Sequence, residues 1–181
     1  MILPDKSDRY SAISITLHWL MFLVMAAAFA TIELRVNFER GSDIREGLKH
    51  WHFMLGLSVL LLVIVRIIAR LATAGPRTVA EPLPSKLLAK GTHLALYALM
   101  IGLPLAGWTI LSASDAPVPF FGLELPPLVS PDKALAKQVK ELHELGGTIA
   151  YWLIGFHALA ALIHHYVLKD GVLLRMRPGR G

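Results

Sequence analysis

Four long stretches of this chain are free, or nearly free, of Asp, Glu, Lys and Arg: 11–32, 50–65 (continuing past Arg66 to Ala69), 91–114 and 145–168. A helix needs about 20 apolar residues to cross a bilayer core, and each stretch can supply such a span. In lipid only helices and closed barrels satisfy their backbone groups, and these runs are too long and continuous for barrel strands. The expectation is therefore an all-α integral membrane protein. Its four transmembrane helices, about 11–33, 50–70, 91–114 and 143–168, form one bundle in a single domain, 1–181. Composition agrees, with 55% hydrophobic and 17% charged residues, where a soluble domain is about a quarter charged. "AAAFAT" in the first stretch offers the small residues of a signal-peptide cleavage site. The apolar run is longer than a signal peptide's and carries His18, so it is read as a span.

Four spans put both termini on one side. Lys6, Arg9, Arg70, Arg77, Lys86, Lys90, Lys169, Arg175, Arg177 and Arg180 lie there, against Arg35, Arg40, Arg45, Lys49, Lys133, Lys137 and Lys140 on the other. Ten against seven favours cytoplasmic termini. The first outer loop is 33–49, and the inner loop, 71–90, holds Pro76, Pro82 and Pro84. The second outer loop, 115–142, opens with the proline-rich "DAPVPFFGLELPPLVSPD", which excludes regular helix. It closes with an amphipathic stretch, "KALAKQVKELHEL".

The net charge of +5 fits orientation and anionic lipid, and no nucleic-acid motif accompanies it. The chain has no cysteine, which excludes disulfides, iron–sulfur clusters and covalent c-type haem attachment. A metal here must be held by histidine, carboxylate or methionine.

There are eight histidines, and ionisable groups within membranes usually mark function. His143 and His157 are 14 residues apart, which places them within about 40° on one helix face and about 21 Å apart along it. With the termini inside, His18 shares the inner depth of His157, and His52 shares the outer depth of His143. Two opposed pairs in a dry bundle suit two bis-histidine b-type haems stacked across the membrane. A structural zinc would need four close ligands, which two histidines per layer cannot supply. Gly56, Gly146 and Gly147, each about one turn after a proposed ligand, would make room for a porphyrin. Gly102 and Gly107 flank Pro104 in the third span. Helix packing is the competing use of any one of these glycines.

These segments resemble the bacterial cytochrome b561 family, in its superoxide oxidase branch. "YSAISITLHWL" resembles the first haem motif, "HFMLGLSVLLLVIVRIIARL" the second, "HLALYALMIGLPLAG" the third helix, and "LHELGGTIAYWLIGFHALAALIHHYVLKDGVLLRMRP" the fourth helix and tail. The resemblance implies the same pairing, His18 with His157 and His52 with His143. It also selects His52 over His50, which is turned 200° from it, through the H-x-x-x-G-x-S spacing with Gly56 and Ser58. His93 has no evident axial partner and is expected to hydrogen-bond, for example to a haem propionate.

The resemblance further implies a di-haem cytochrome b that oxidises superoxide to oxygen outside and reduces ubiquinone inside. The quinone pool and lipid are its surroundings, and no protein partner is required. The alternative is a cytochrome b subunit linking a dehydrogenase or hydrogenase to the quinone pool. The outer loops carry seven basic against nine acidic residues, so steering of an anion would require local arrangement rather than net charge. His164, seven residues after His157, lies on nearly the same face and is placed to hydrogen-bond quinone. His165, about 100° away, is expected at the interface.

Overall fold

The computed structural model describes residues 9–73 and 83–178. Lys6, Pro76, Arg77, Pro82 and Arg180 lie outside the described residues. Four long helices dominate: α1 (Ala12–Leu34), α2 (Asp43–Ala72), α3 (Leu83–Ala113) and α4 (Lys133–Ile163). All four are long and apolar enough to cross a membrane. Their outward faces carry leucine and valine that only lipid would cover, such as Leu71 at 83% exposure and Val167 at 70%.

Three helices start earlier than their hydrophobic runs. Helix α2 begins at Asp43 because Ser42 caps it, accepting from Arg45 N–H, with Asp43 and Glu46 in the positive first turn. Asp132 caps α4 through the N–H groups of Ala134 and Leu135, so the amphipathic stretch is the first part of the last helix. Helix α3 runs from Leu83, making 83–90 helix rather than inner loop. At 1.5 Å per residue, the 30 residues of α2 reach about 45 Å, well beyond a hydrocarbon core of about 30 Å. Polar residues continue a capped helix into water, where a hydropathy pattern no longer follows it.

Long-range hydrogen bonds fix the up-and-down order. The His52 ring, early in α2, meets the Ala28 carbonyl late in α1 at 2.9 Å. Arg66, late in α2, donates to the Ser14 carbonyl near the start of α1 at 3.4 Å. The tightest seam lies between α1 and α2, where Met21, Met54, Val59 and Val63 are buried. Helix α2 packs along α3 and α3 along α4, but α4 does not pack along α1 or α2.

The proline-rich outer loop contains a two-stranded hairpin, β1 (Val118–Phe120) and β2 (Leu123–Leu125). Phe121 and Gly122 take φ of +47° and +86°, the left-handed pair that a two-residue hairpin turn requires. Val118 is buried with Leu57 and Leu111, and Phe53, Trp108 and Phe120 pack round them. The loop is stapled to the end of α3 by Trp108 Nε1 donating to the Pro126 carbonyl and Leu128 N–H donating to Ser112 Oγ.

At the other end, α4 widens into a π-helical turn, His164–Leu168. Lys169 then takes a left-handed conformation at φ +54°, as does Gly171 at +77°, and the chain folds back. A short 3₁₀ turn, Leu173–Met176, lies across the start of α1. Tyr10 N–H donates to the Arg175 carbonyl, and Trp19 Nε1 to that of Met176 at 2.7 Å. The two described chain ends therefore sit side by side.

Candidate functional site

Each histidine that helical phase and depth put forward lies at a seam where α4 fails to pack. His18 of α1 and His157 of α4 hold their rings 6.3 Å apart, centroid to centroid, with planes at 71°. His52 of α2 and His143 of α4 do the same at 6.2 Å and 84°. Helix α4 packs closely along neither α1 nor α2, and the imidazoles reach across both gaps.

The spacing has a simple meaning. A metal–imidazole bond is about 2 Å, and the ring centre lies roughly 1.2 Å beyond the nitrogen. Two rings on opposite sides of one metal therefore have centroids about 6.4 Å apart, close to both observed values. No cluster of three or more His, Cys, Asp or Glu able to hold a metal occurs among the described residues. A metal held by one pair must bring its remaining ligands with it, as a haem iron does.

The surroundings fit a flat macrocycle. A Cβ built on Gly56 or on Gly147 would meet nothing within 4 Å, so each opens space one turn from His52 or His143. Gly146 has a different use: its Cβ would lie 2.8 Å from Leu103 Cδ2, so it lets α3 and α4 close up. Gly107 keeps room for the His143 ring, whose Cε1 is 3.6 Å from a Cβ built there.

Ring orientation is set from behind. His52 Nδ1 lies 2.9 Å from the Ala28 carbonyl, so the proton belongs on Nδ1 and Nε2 is left free to accept a metal. His143 Nδ1 is buried beside the Leu103 carbonyl without closing a well-aligned hydrogen bond. His93, on α3, stands 5.5 Å from the His157 ring, edge to face, and joins the inner layer. His50 is exposed.

Two arginines accompany the layers. Arg35, in the short 3₁₀ turn Arg35–Asn37 after α1, is half-buried, its Nε has no partner, and its charge acts on His52. Arg66 acts on His18, His93 and His157. Helical arithmetic would have found Arg66, since it follows His52 by the same 14 residues that separate His157 from His143. No sequence signal marks Arg35, whose place depends on how the chain leaves α1.

His164 opens the π turn and hydrogen-bonds through Nδ1–H to the Asp170 carboxylate. Burial works to raise the Asp170 carboxyl, but hydrogen bonds from His164 and Val172 N–H outweigh it and hold it below its ordinary range. This partner lies six residues ahead and could not be read from an α-helical repeat. The His165 ring meets that of Tyr166 edge to face instead, 4.7 Å between centroids.

The family model for prokaryotic cytochrome b561 matches residues 9–179. A Yersinia pestis protein named probable superoxide oxidase CybB is 39% identical over 94% of this chain and 96% of its own. Cytochrome b561 homolog 1 of Escherichia coli K12 is 35% identical over 96% of this chain and 99% of its own. Cytochrome b562 of Cereibacter sphaeroides is 30% identical, with 94% and 96% covered.

Proposed function

The chain belongs to the prokaryotic cytochrome b561 family of helical membrane electron-transfer proteins, which bind b-type haem, and we propose that it oxidises superoxide and reduces ubiquinone. In this reading it holds two haems b, one between His18 and His157 and one between His52 and His143. The observation that carries the reading is the pair of ring separations, 6.3 and 6.2 Å, across the α1–α4 and α2–α4 gaps. The termini lie on the cytoplasmic side of a bacterial inner membrane, as the ten-to-seven basic count supports.

Bound haem supplies one-electron transfer across the membrane. The protein's part follows from its own side chains. His18 with His157 and His52 with His143 would each hold one haem iron, and with both protein ligands in place oxygen species would find no site on the metal and would react from outside. Two superoxide anions, ubiquinone and two protons give two oxygen molecules and one quinol.

An anionic donor needs a positive approach, which the outer loops lack in net charge. Arg45 is occupied by the Arg35 and Phe38 carbonyls, Lys49 by Glu46, and Lys140 by Glu144. Arg35, whose Nε is buried without a partner and whose charge is felt at His52, is the residue assigned to draw superoxide toward the outer layer. The donor itself comes from the name of the Yersinia pestis relative. On the inner side, Asp170 accepts from His164 Nδ1–H, which leaves Nε2 to accept a hydrogen bond from quinol.

The experiment is a superoxide pulse mixed with fully oxidised, purified protein. Appearance of the reduced b-type α band on a diffusive timescale is expected, with slower turnover in Arg35→Gln. Haems that stay oxidised would rule out superoxide as donor while leaving haem binding intact.

A further inference from the structure

An arginine within a membrane span is costly unless something compensates it. Arg66 lies inside α2 with no carboxylate pairing it among the described residues. Its bonds are to neutral groups: Nε donates to the Tyr97 hydroxyl at 3.0 Å and Nη1 to the Ser14 carbonyl at 3.4 Å. A guanidinium has five N–H groups, so most of its donor capacity stays open.

It is also not an anchor reaching for the lipid surface. Tyr97 is on α3 and Ser14 on α1, so both bonds pull the half-buried head between helices. Arg70, one turn on, is exposed and lies over the Tyr10 ring at 5.5 Å, at the bundle end. Arg66 stands at the inner histidine layer, on the face of α2 that carries His52, about 40° away in phase and about 21 Å deeper. Helix α4 places a second histidine at that step, and α2 places a charge.

We propose that Arg66 is the fixed positive charge of the inner haem site, pairing with a haem carboxylate and raising the reduction potential of the haem held by His18 and His157. The inference rests on the two-haem reading above. A cation beside the iron favours the reduced, less positive state. It stabilises a haem carboxylate in its ionised form at the same time, which answers the cost of the buried guanidinium. At an effective dielectric near 20 and a separation of about 10 Å, one unit charge changes a one-electron equilibrium by about tenfold.

The test is a redox titration of the purified haem-loaded chain, following the α band. His157→Ala and His143→Ala first identify the inner and outer components by the loss of each. If neither component disappears, the ligand assignment fails, whatever Arg66 does. With the components identified, Arg66→Gln is expected to lower the inner one by about tenfold in equilibrium constant, about 59 mV for one electron. The outer component should not move, and Arg66→Lys should hold the inner one near its original potential. If Arg66→Gln loses the inner haem, the Lys variant carries the test, with retained haem and unchanged potential expected. An unshifted inner component, a shift of the outer component alone, or a Lys variant shifted about tenfold each overturns the proposal.

Discussion

His52 Nδ1 lies 2.9 Å from the Ala28 carbonyl, so the helix preceding His52 decides which of its ring nitrogens is available to a metal. Ala28 is one turn before the end of its hydrophobic run and is itself buried, which makes this backbone contact hard to displace. Outer-layer chemistry is therefore tied to the α1–α2 seam, the best-packed part of the molecule. A carbonyl that accepts from the far nitrogen of an imidazole typically raises the ring's basicity and fixes its orientation.

Loss of a ligand should be confined to its own layer. His52→Ala and His143→Ala are each expected to halve the haem content, and the double variant to be no worse than either single one. Pyridine haemochrome analysis against protein concentration checks this. A double variant with markedly less haem than the singles would show that the two residues serve different haems.

The neighbouring glycines should separate packing from cofactor space. Gly146→Leu drives a side chain into Leu103 and is expected to destabilise the α3–α4 pair by about 1–3 kcal/mol. Gly147→Leu meets no protein atom within 4 Å of its Cβ, so the helices should hold while haem content falls. Thermal melts in detergent, read beside the Soret-to-protein ratio, distinguish the two. Equal behaviour of both variants would remove the distinction drawn here.

Trp19→Phe should loosen the returning tail without disturbing the spans. It removes one hydrogen bond to the Met176 carbonyl, a net loss of about 1 kcal/mol. Hydrogen exchange at 172–177 should rise while α1 and α2 remain protected. Unchanged exchange there would mean that the remaining tail contacts suffice.

The tail should also respond to acid. Asp170 has a folded pKa below its ordinary 3.8, so its contribution is fully present above that value. It is lost as pH falls through the lowered folded value, because the unfolded tail binds the proton more readily. Exchange or limited proteolysis of residues 169–177 should therefore increase below about pH 4, and Asp170→Asn should abolish that dependence. A variant retaining the same acid response would assign the effect to another group.

Much of this molecule is present in its one-dimensional pattern. Charge-free runs of bilayer length leave a chain no alternative to spanning helices, because lipid offers no partner for an open backbone. Fourteen-residue spacing of His143 and His157 fixes their phase and depth once α4 is a helix, since helical geometry is the same everywhere. Ser42 and Asp132 cap helices whose starts the apolar pattern alone set too late. What only tertiary structure decided are relations between elements with no common repeat. The His18–His157 and His52–His143 separations, the Ala28 carbonyl behind His52, Arg66 between Tyr97 and Ser14, and the Asp170 reach to His164 are of this kind. Glycine is the clearest case: Gly146 and Gly147 are adjacent in sequence, yet one faces Leu103 and the other faces open space. A helix repeat sets the direction in which each side chain leaves its own axis, but the position of the next axis is set by packing, and that is where the two glycines part.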